Sequence, residues 1–555
     1  MVRECRLETN YGHRADNVEQ SASVDSQGRV WLVADAHSRL PIVRPAAVIA
    51  PLEQRSRWIL GFFCLMFLLG TCGRASQKLF WHDELFTLYM TRLPGLGDVW
   101  RAIADGAEAS PPLFAAITRA STGLLGEGLI TVRLPAIAGF LIASLAACVF
   151  VARRCGPIYG LVACLLPTAT DAYVYAYEAR PYGIVLALAG IAMVSWQRAT
   201  DDRHRAVSLA LLLSSLIAAL WSHYYAVLLL IPLALGEMAR FWRRRTPDWT
   251  MWAVLVTPLG ALAPMAALIQ STIDGASALF STVRPGVVIE SYEAVLLPLA
   301  VPAVVILTAI GVATTVGRQA LPFDEPHPAD AVPFHEWVAA VALMLLPVWG
   351  AVAGGLVVGT FVPRYAVSWV VGFSITAAFV AATMSSRPKL VGAIALVTLL
   401  GWTSAKMARS TRLLALDAPT IAEANSALLN ERGPLLPIVV THAHVFFPLV
   451  EYAPRDIATR LVLLAGPPRV AEQWGPETRE QSLVALSTRF PIHVEELDTF
   501  ITTHRHFLMY GPPMWVTAEL RAAGARLSII AEERGFARFS MSNPAGILLY
   551  EATFD

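Results

Sequence analysis

Charge is scarce in this chain. Of 555 residues only 15% are Asp, Glu, Lys or Arg, and 55% are hydrophobic. A soluble domain carries roughly a quarter charged residues, so the balance excludes one and leaves a polytopic membrane protein. A net charge of +1 offers no electrostatic footprint for nucleic acid. Cysteine is also sparse: Cys5, Cys64, Cys72, Cys148, Cys155 and Cys164, with none beyond residue 164. Their spacing fits neither a metal site nor a disulfide framework. Residues 1–25 lack the apolar core of a signal peptide. No internal repeat is visible, and no Asp-x-Asp motif offers paired carboxylates to a metal ion.

What is present is a series of apolar runs. The first, Trp58 to about Thr71, follows Arg55 and Arg57 and reads as a signal-anchor helix with a cytoplasmic N-terminus. Residues 1–56 are polar without a sustained period and read as a mostly disordered cytoplasmic tail. Further runs at about 132–152, 157–177, 181–197, 206–222, 224–241, 250–270, 295–316, 336–361, 366–385 and 389–405 bring the expected count to about 11 spans. Most approach the roughly 20 residues that cross a hydrocarbon core. Arg153, Arg154, Arg198, Arg203, Arg205, Arg240, Arg243 to Arg245, Arg318, Arg387 and Lys389 all fall on one side. The short loops of the other side hold mainly Arg180, Arg284 and Arg364. The positive-inside rule makes the basic side cytoplasmic, and an odd span count sends the C-terminal part outside.

From about residue 406 the pattern changes. Residues 437–440, 461–464, 507–510 and 547–550 read as short buried strands, with helical stretches at 471–487 and 515–524. The expected fold is therefore mainly α: a transmembrane domain over 57–405 and a small periplasmic α/β domain over 406–555, its sheet mainly parallel.

Between the first two spans, residues 76–130 form a long non-spanning loop that carries Trp81-His82-Asp83-Glu84-Leu85-Phe86-Thr87. An adjacent Asp-Glu pair outside a membrane suits proton transfer: one carboxylate takes a proton from an incoming hydroxyl, the other orients it. The same pair also suits the first turn of a surface helix, where it complements the macrodipole. Pro111-Pro112-Leu113-Phe114 opens an amphipathic stretch ending near Gly126, suited to lie in the membrane interface.

Other charged residues gather at the same side. Asp171 and Glu178-Ala179-Arg180-Pro181-Tyr182 occupy the turn between the third and fourth spans. They are either a capped helix end or a Glu178–Arg180 ion pair at the mouth of a cavity. His223-Tyr224-Tyr225 ends the fifth span, as an aromatic belt or as part of a site. Between the ninth and tenth spans, Arg364 of Pro363-Arg364-Tyr365 either snorkels to headgroups or holds a phosphate. Together these residues suit a hydroxyl attacking a carbon that bears a lipid phosphate.

On these residues the chain resembles the membrane-embedded glycosyltransferases of the GT-C type. The likeness is to the bacterial branch related to protein O-mannosyltransferases and aminoarabinose transferases. The matching motifs are Trp81-His-Asp-Glu-Leu-Phe-Thr, Ser110-Pro-Pro-Leu-Phe, Arg133-Leu-Pro, Tyr177-Glu-Ala-Arg-Pro-Tyr182 and Arg364-Tyr365. They cover residues 80 to 240 well and extend more loosely to 405. The resemblance implies a polyprenyl-phosphate sugar donor, an envelope glycan, lipid or protein acceptor on the periplasmic face, and an inverting transfer in the plasma membrane. It implies Asp83 as general base with Glu84 beside it, and Arg180 and Arg364 on the donor phosphate. His82, Tyr182, His223 and Tyr365 are in support, and either Asp171 or Glu178 is a second acid. Neither cofactor nor metal is called for, the arginines supplying the charge. Burial and the like charge of Glu84 are expected to raise the basicity of Asp83. A transporter or flippase for a lipid-linked sugar is the rival class. Its marks, internal repeats and ionisable groups near the bilayer midplane, are not seen in the sequence.

Overall fold

The computed structural model describes residues 51–201, 204–270, 286–316, 332–358, 361–383, 387–417, 425–430, 435–475, 479–533 and 546–554, with short pieces at 22–24, 30–32, 272, 283 and 284. Ala22–Val24 (β1) and Val30–Leu32 (β2) pair antiparallel. Of the tail expected to be disordered over 1–56, residues 51–54 are helical, and, these strands apart, the chain before residue 51 lies outside the described residues.

From Arg55 onward the chain is one compact unit. Helix α1 (Ser56–Ala75) leads into three helices, α2 (His82–Arg92), α3 (Leu96–Ala104) and α4 (Pro112–Leu125). The stretch read as a loop with one amphipathic helix is thus largely helical. The apolar helices follow: α5 (Leu134–Cys155), α6 (Pro157–Ala169), α7 (Tyr182–Thr200), α8 (Arg205–Ser222), α9 (Tyr224–Arg244), α10 (Trp249–Gln270) and α11 (Val287–Val312). The series ends with α12 (Phe334–Met344), α13 (Leu346–Leu356), α14 (Trp369–Thr383) and α15 (Pro388–Asp417). Among the described residues, eight of these helices are long and apolar enough to cross a membrane. The pair α12–α13, bent by 56°, is a ninth if it counts as one span. The shorter apolar α6 and α14 stand where the sequence puts two more, so each expected run holds an apolar helix, though eight or nine and not 11 are long enough to span.

Proline and glycine shape the parts that matter for the site. Pro347 opens α13 and cannot donate the hydrogen bond that would carry α12 straight on. Pro167 lies near the end of α6, which stops at Ala169 and passes into a 3-10 turn, Asp171–Ala176, instead of running on to 177 as read from hydropathy. That turn frees 177–181 to fold back over α2. Gly139 of α5 and Gly183 of α7 touch backbone to backbone, the close approach that small residues allow between membrane helices.

The C-terminal part is a six-stranded sheet in the order β5-β4-β3-β6-β8-β7. Ile438–Val440 (β3), Leu461–Ala465 (β4), Val494–Glu496 (β5) and His506–Gly511 (β6) run parallel; Arg526–Glu533 (β7) and Ile547–Thr553 (β8) complete it antiparallel. Strands β3 and β4 are buried at every position, as a sheet covered on both faces requires. The stretch read as one helix over 471–487 is two, α17 (Pro468–Trp474) and α18 (Gln481–Ser487), parted at Gly475 with φ 95°. They follow α16 (Ala443–Tyr452) in the chain. One face of the sheet shares a continuous apolar core with α2 and α3, joining Leu85, Met90, Val99 and Ile103 to Ile438, Val440, Phe446 and Leu463. The sheet is therefore docked on the helices that carry the Asp-Glu pair.

Candidate active site

Asp83 is the second residue of α2 and Glu84 the third. Neighbouring residues on a helix point away from each other, and these two lead separate lives. The Glu84 carboxylate is fully buried. It accepts from Arg133 Nε and Nη2, both at 2.7 Å, and from the Ala179 backbone N–H at 2.7 Å. Arg133, also fully buried, spends its other donors on the carbonyls of Ala75, Lys78 and Leu79. This pair fastens the start of α5 and the 177–181 turn to α2. Burial opposes ionisation of Glu84, yet Arg133 and Lys78 hold its carboxyl below the usual range. The oxygens of Glu84 are already bonded, so of the two roles expected for the pair Glu84 is placed for orienting its neighbours and not for taking the proton.

Asp83 faces the other way. Its Oδ2 lies 3.3 Å from Arg364 Nη1, and its Oδ1 lies 3.4 Å from His82 Nδ1. Its backbone carbonyl accepts from Arg180 Nη1 at 3.1 Å. Burial favours the neutral acid, but the His82 contact and the charges of Arg180 and Arg364 win, holding the carboxyl well below the usual carboxylate range. The basicity expected to be raised is lowered, and Glu84, turned away, does not push it up.

Arg180 pairs with Glu108 at 2.8 Å, and Glu178 pairs with Lys78 at 3.2 Å. The Glu178–Arg180 pair considered from sequence does not form. Burial raises the Glu178 carboxyl; Lys78 opposes this, while Glu84 and Asp83 add to it. Asp171 stands apart, its side chain half exposed and paired with Lys406 of α15 at 3.2 Å. Arg180 sits on irregular chain just before α7, and Arg364 in a 3-10 turn, Pro363–Ala366, just before α14; the Nε atoms of both are buried and unpartnered.

Aromatic rings complete the wall. His223 lies 5.0 Å from Tyr365 and 5.8 Å from Tyr182, ring centre to ring centre, and Tyr225 lies 5.1 Å from Tyr365. Burial, aided by Arg180 and Arg364, pulls the His223 pKa down to about 3, so the ring is neutral at pH 7. On the opposite side the sheet domain contributes. His82 stacks on His444 at 4.2 Å, and His444 meets His442 edge-on at 4.9 Å. Burial and the two neighbouring imidazoles lower the His444 pKa to about 3. Among the described residues no cluster of three or more His, Cys, Asp or Glu is arranged to hold a metal ion.

The structure thus gathers Asp83, His82, Arg180, Arg364, Tyr182, His223 and Tyr365 in one region, with Glu178 close enough to feel the charge of Asp83, and leaves Asp171 outside it. Glu108, His442 and His444 were missed. Glu108 lies two residues before the Ser110 motif, and its backbone-bonded carboxylate is what holds Arg180. His442 and His444 follow β3 directly, at the carboxyl end of a parallel strand, where α/β sheets place functional residues. That position was the available signal.

No protein-family model and no curated protein matches the sequence. Solved structures do match, and they share the fold of this chain. Among them is ArnT from Cupriavidus metallidurans. Its apo crystal structure shares 11% identity over 89% of this chain and 97% of ArnT, with a TM-score of 0.54. A crystal structure of ArnT bound to undecaprenyl phosphate shares 12% identity over 89% of this chain and 98% of the other, with a TM-score of 0.47. At such identities the shared property is the fold.

Proposed function

We propose that the protein is a plasma-membrane glycosyltransferase that moves a sugar from a polyprenyl-phosphate donor to an envelope glycan, lipid or protein on the periplasmic face, with inversion. The residues up to about 56 are assigned to the cytoplasm, 57–405 to the catalytic membrane domain, and 406–555 to a periplasmic domain that roofs the site. The observation that carries this reading is the Asp83–Arg364 contact at 3.3 Å, a single carboxylate held beside two arginines. In the transfer, the acceptor oxygen attacks the anomeric carbon and the carbon–phosphate oxygen bond breaks. The proton of the acceptor hydroxyl passes to Asp83, and the electron pair leaves with the polyprenyl phosphate.

The charges explain why both arginines are needed. The donor phosphodiester carries one negative charge, and the departing monoester carries more, so guanidinium groups stabilise the transition state more than the ground state. Without donor, Asp83 and Glu108 occupy those guanidinium groups. A phosphate that draws Arg364 away releases Asp83, whose basicity then returns towards that of an ordinary carboxylate. The base is thereby switched on by the donor it serves. Glu178 is assigned as the neighbouring second acid in preference to Asp171, and Glu84 as a positioning residue.

Transfer from a polyprenyl-phosphate sugar by purified Asp83→Asn tests the reading. Turnover falls about a hundredfold or more, as for other lost acid–base groups. Donor affinity stays the same or improves, because Arg364 no longer has a carboxylate to leave. Near-normal turnover in this variant would overturn the assignment and direct attention to Glu178.

A further inference from the structure

At the other end of the helix bundle from Asp83 lies a second basic site. Helix α9 begins beside His223 and Tyr225 and ends at Arg244, so its far end is roughly 30 Å from the aromatic wall. There a cleft of about 300 Å³ is lined by Ala239, Trp242, Arg243, Arg245 and Phe334. The Arg243 guanidinium lies over the Phe334 ring, 5.1 Å from its centre. The neighbouring cations at this end have carboxylates. Arg153 pairs with Asp201, and Arg154 pairs with Asp201 and Glu336. Arg205 and Arg240 share Asp248, and Arg240 also holds Glu237. Among the described residues those networks take up Asp201, Glu237, Asp248 and Glu336. Arg243 and Arg245 are exposed, and among the described residues neither forms an ion pair.

Two more features say what would neutralise them. Trp242 and Trp249 are 66% and 75% exposed, the placement of indoles at a membrane–water boundary. Phe334, itself half exposed, begins the next span across the cleft. An open basic cleft between two span ends at headgroup depth, floored by an aromatic ring, recognises an anionic phosphate carried on an apolar tail. We infer that this cleft binds the headgroup of an anionic phospholipid, with Arg243 and Arg245 on the phosphate and Phe334 and Trp242 against the glycerol and first acyl carbons. The inference needs only that the chain spans a bilayer, and stands whatever the enzyme transfers.

The test uses the purified full-length protein in neutral detergent, stripped of lipid. Native mass spectrometry and thermal unfolding are followed with added phosphatidylglycerol, phosphatidylcholine or inorganic phosphate. Phosphatidylglycerol is expected to be retained and to raise Tm, while the other two do neither. The doubly substituted Arg243→Ala, Arg245→Ala protein is expected to bind phosphatidylglycerol about thirtyfold more weakly, with its lipid-free Tm unchanged. Phe334→Ala, which alters the floor of the cleft and no charge, weakens binding severalfold. Arg455→Ala, an exposed arginine in the sheet domain, has no effect. Equal phosphatidylglycerol affinity in the double variant would overturn the site. Equal protection by phosphatidylcholine or by inorganic phosphate would overturn its assignment to an anionic lipid.

Discussion

Successive residues on a helix point about 100° apart, and at the start of α2 that rotation aims Asp83 at Arg364 and Glu84 at Arg133. The two carboxylates should therefore fail in different ways when substituted. Glu84→Gln leaves Arg133 buried without its counter-charge, a loss of about 3–5 kcal/mol, so its defect appears as a large drop in Tm and in yield. Asp83→Asn, beside the partly exposed Arg364, should lower Tm less than Glu84→Gln; an unaltered Tm in Glu84→Gln would show that the buried pair is not structural. Arg364→Ala should weaken donor use by about one to two orders of magnitude, the worth of one charge-assisted contact of roughly 1.5–3 kcal/mol. Arg364→Lys restores only part, since a point charge replaces a fork. The pH profile separates the two states of the base. With Asp83 depressed by its arginines, it stays ionised as pH falls through the ordinary carboxylate range, and the acid limb of kcat/KM lies below that range. In the donor complex Arg364 is engaged elsewhere, so the acid limb of kcat lies higher; coincident limbs would contradict the switch. The motif itself was readable in the sequence, as acids at a helix start. Which acid faces the arginines was not, because that depends on Arg133, 49 residues away, and on Arg364, further still.

At the scale of elements, the helices were legible because each apolar run is about as long as a bilayer is thick. The breaks that make the site were less so. A hydropathy window passes over Pro167 and the 3-10 turn after it, yet this turn is what swings Arg180 back over α2. In the sheet, β3 and β4 announce themselves as continuous apolar runs. Strand β5 has only three residues, and edge strand β7 exposes much of its length, with Ile529 60% exposed, so neither carries a buried-strand pattern. Gly183, next to Tyr182, offers a test of the geometry. A Cβ there would collide with the Ala136 carbonyl of α5. Gly183→Ala must push α7 from α5, at a cost of about 1–3 kcal/mol, and shift Arg180 and Tyr182 with it. Reduced Tm together with a donor affinity lowered beyond the stability loss is expected, and wild-type values for both would mean the contact is not tight.

For the whole molecule, the arginine asymmetry sets an orientation that reporter fusions can check. A periplasm-dependent reporter joined after residue 410 should be active, and one joined after 245 silent. The reverse pattern would turn the site to the cytoplasm. The joint between sheet and membrane helices should also respond to pH. His444 is neutral in the fold with a pKa of about 3, against roughly 6.5 unfolded. The unfolded chain therefore binds the extra proton between those values, and stability falls as pH drops below about 6.5. At pH 5 the loss from His444 approaches 2 kcal/mol. Unfolding midpoints measured from pH 7.5 to 5 should show it, and His444→Asn should flatten the slope.

The roof over Asp83 comes from far along the chain. The Phe80 N–H bonds the Tyr452 hydroxyl 372 residues later, and Arg92 is gripped by Glu127 and Glu451 together. At about 5–20 residues per second, a ribosome needs on the order of 20–75 s to travel between Phe80 and its partner. Throughout that interval Leu85, Phe86 and Tyr89 lie on a helix already made, without the sheet-domain residues that cover them. The nascent chain must then keep this loop shielded by the lipid surface or by a helper until the segment around Tyr452 emerges. A chain released early would carry Asp83 and both arginines and still lie open to proteolysis along α2.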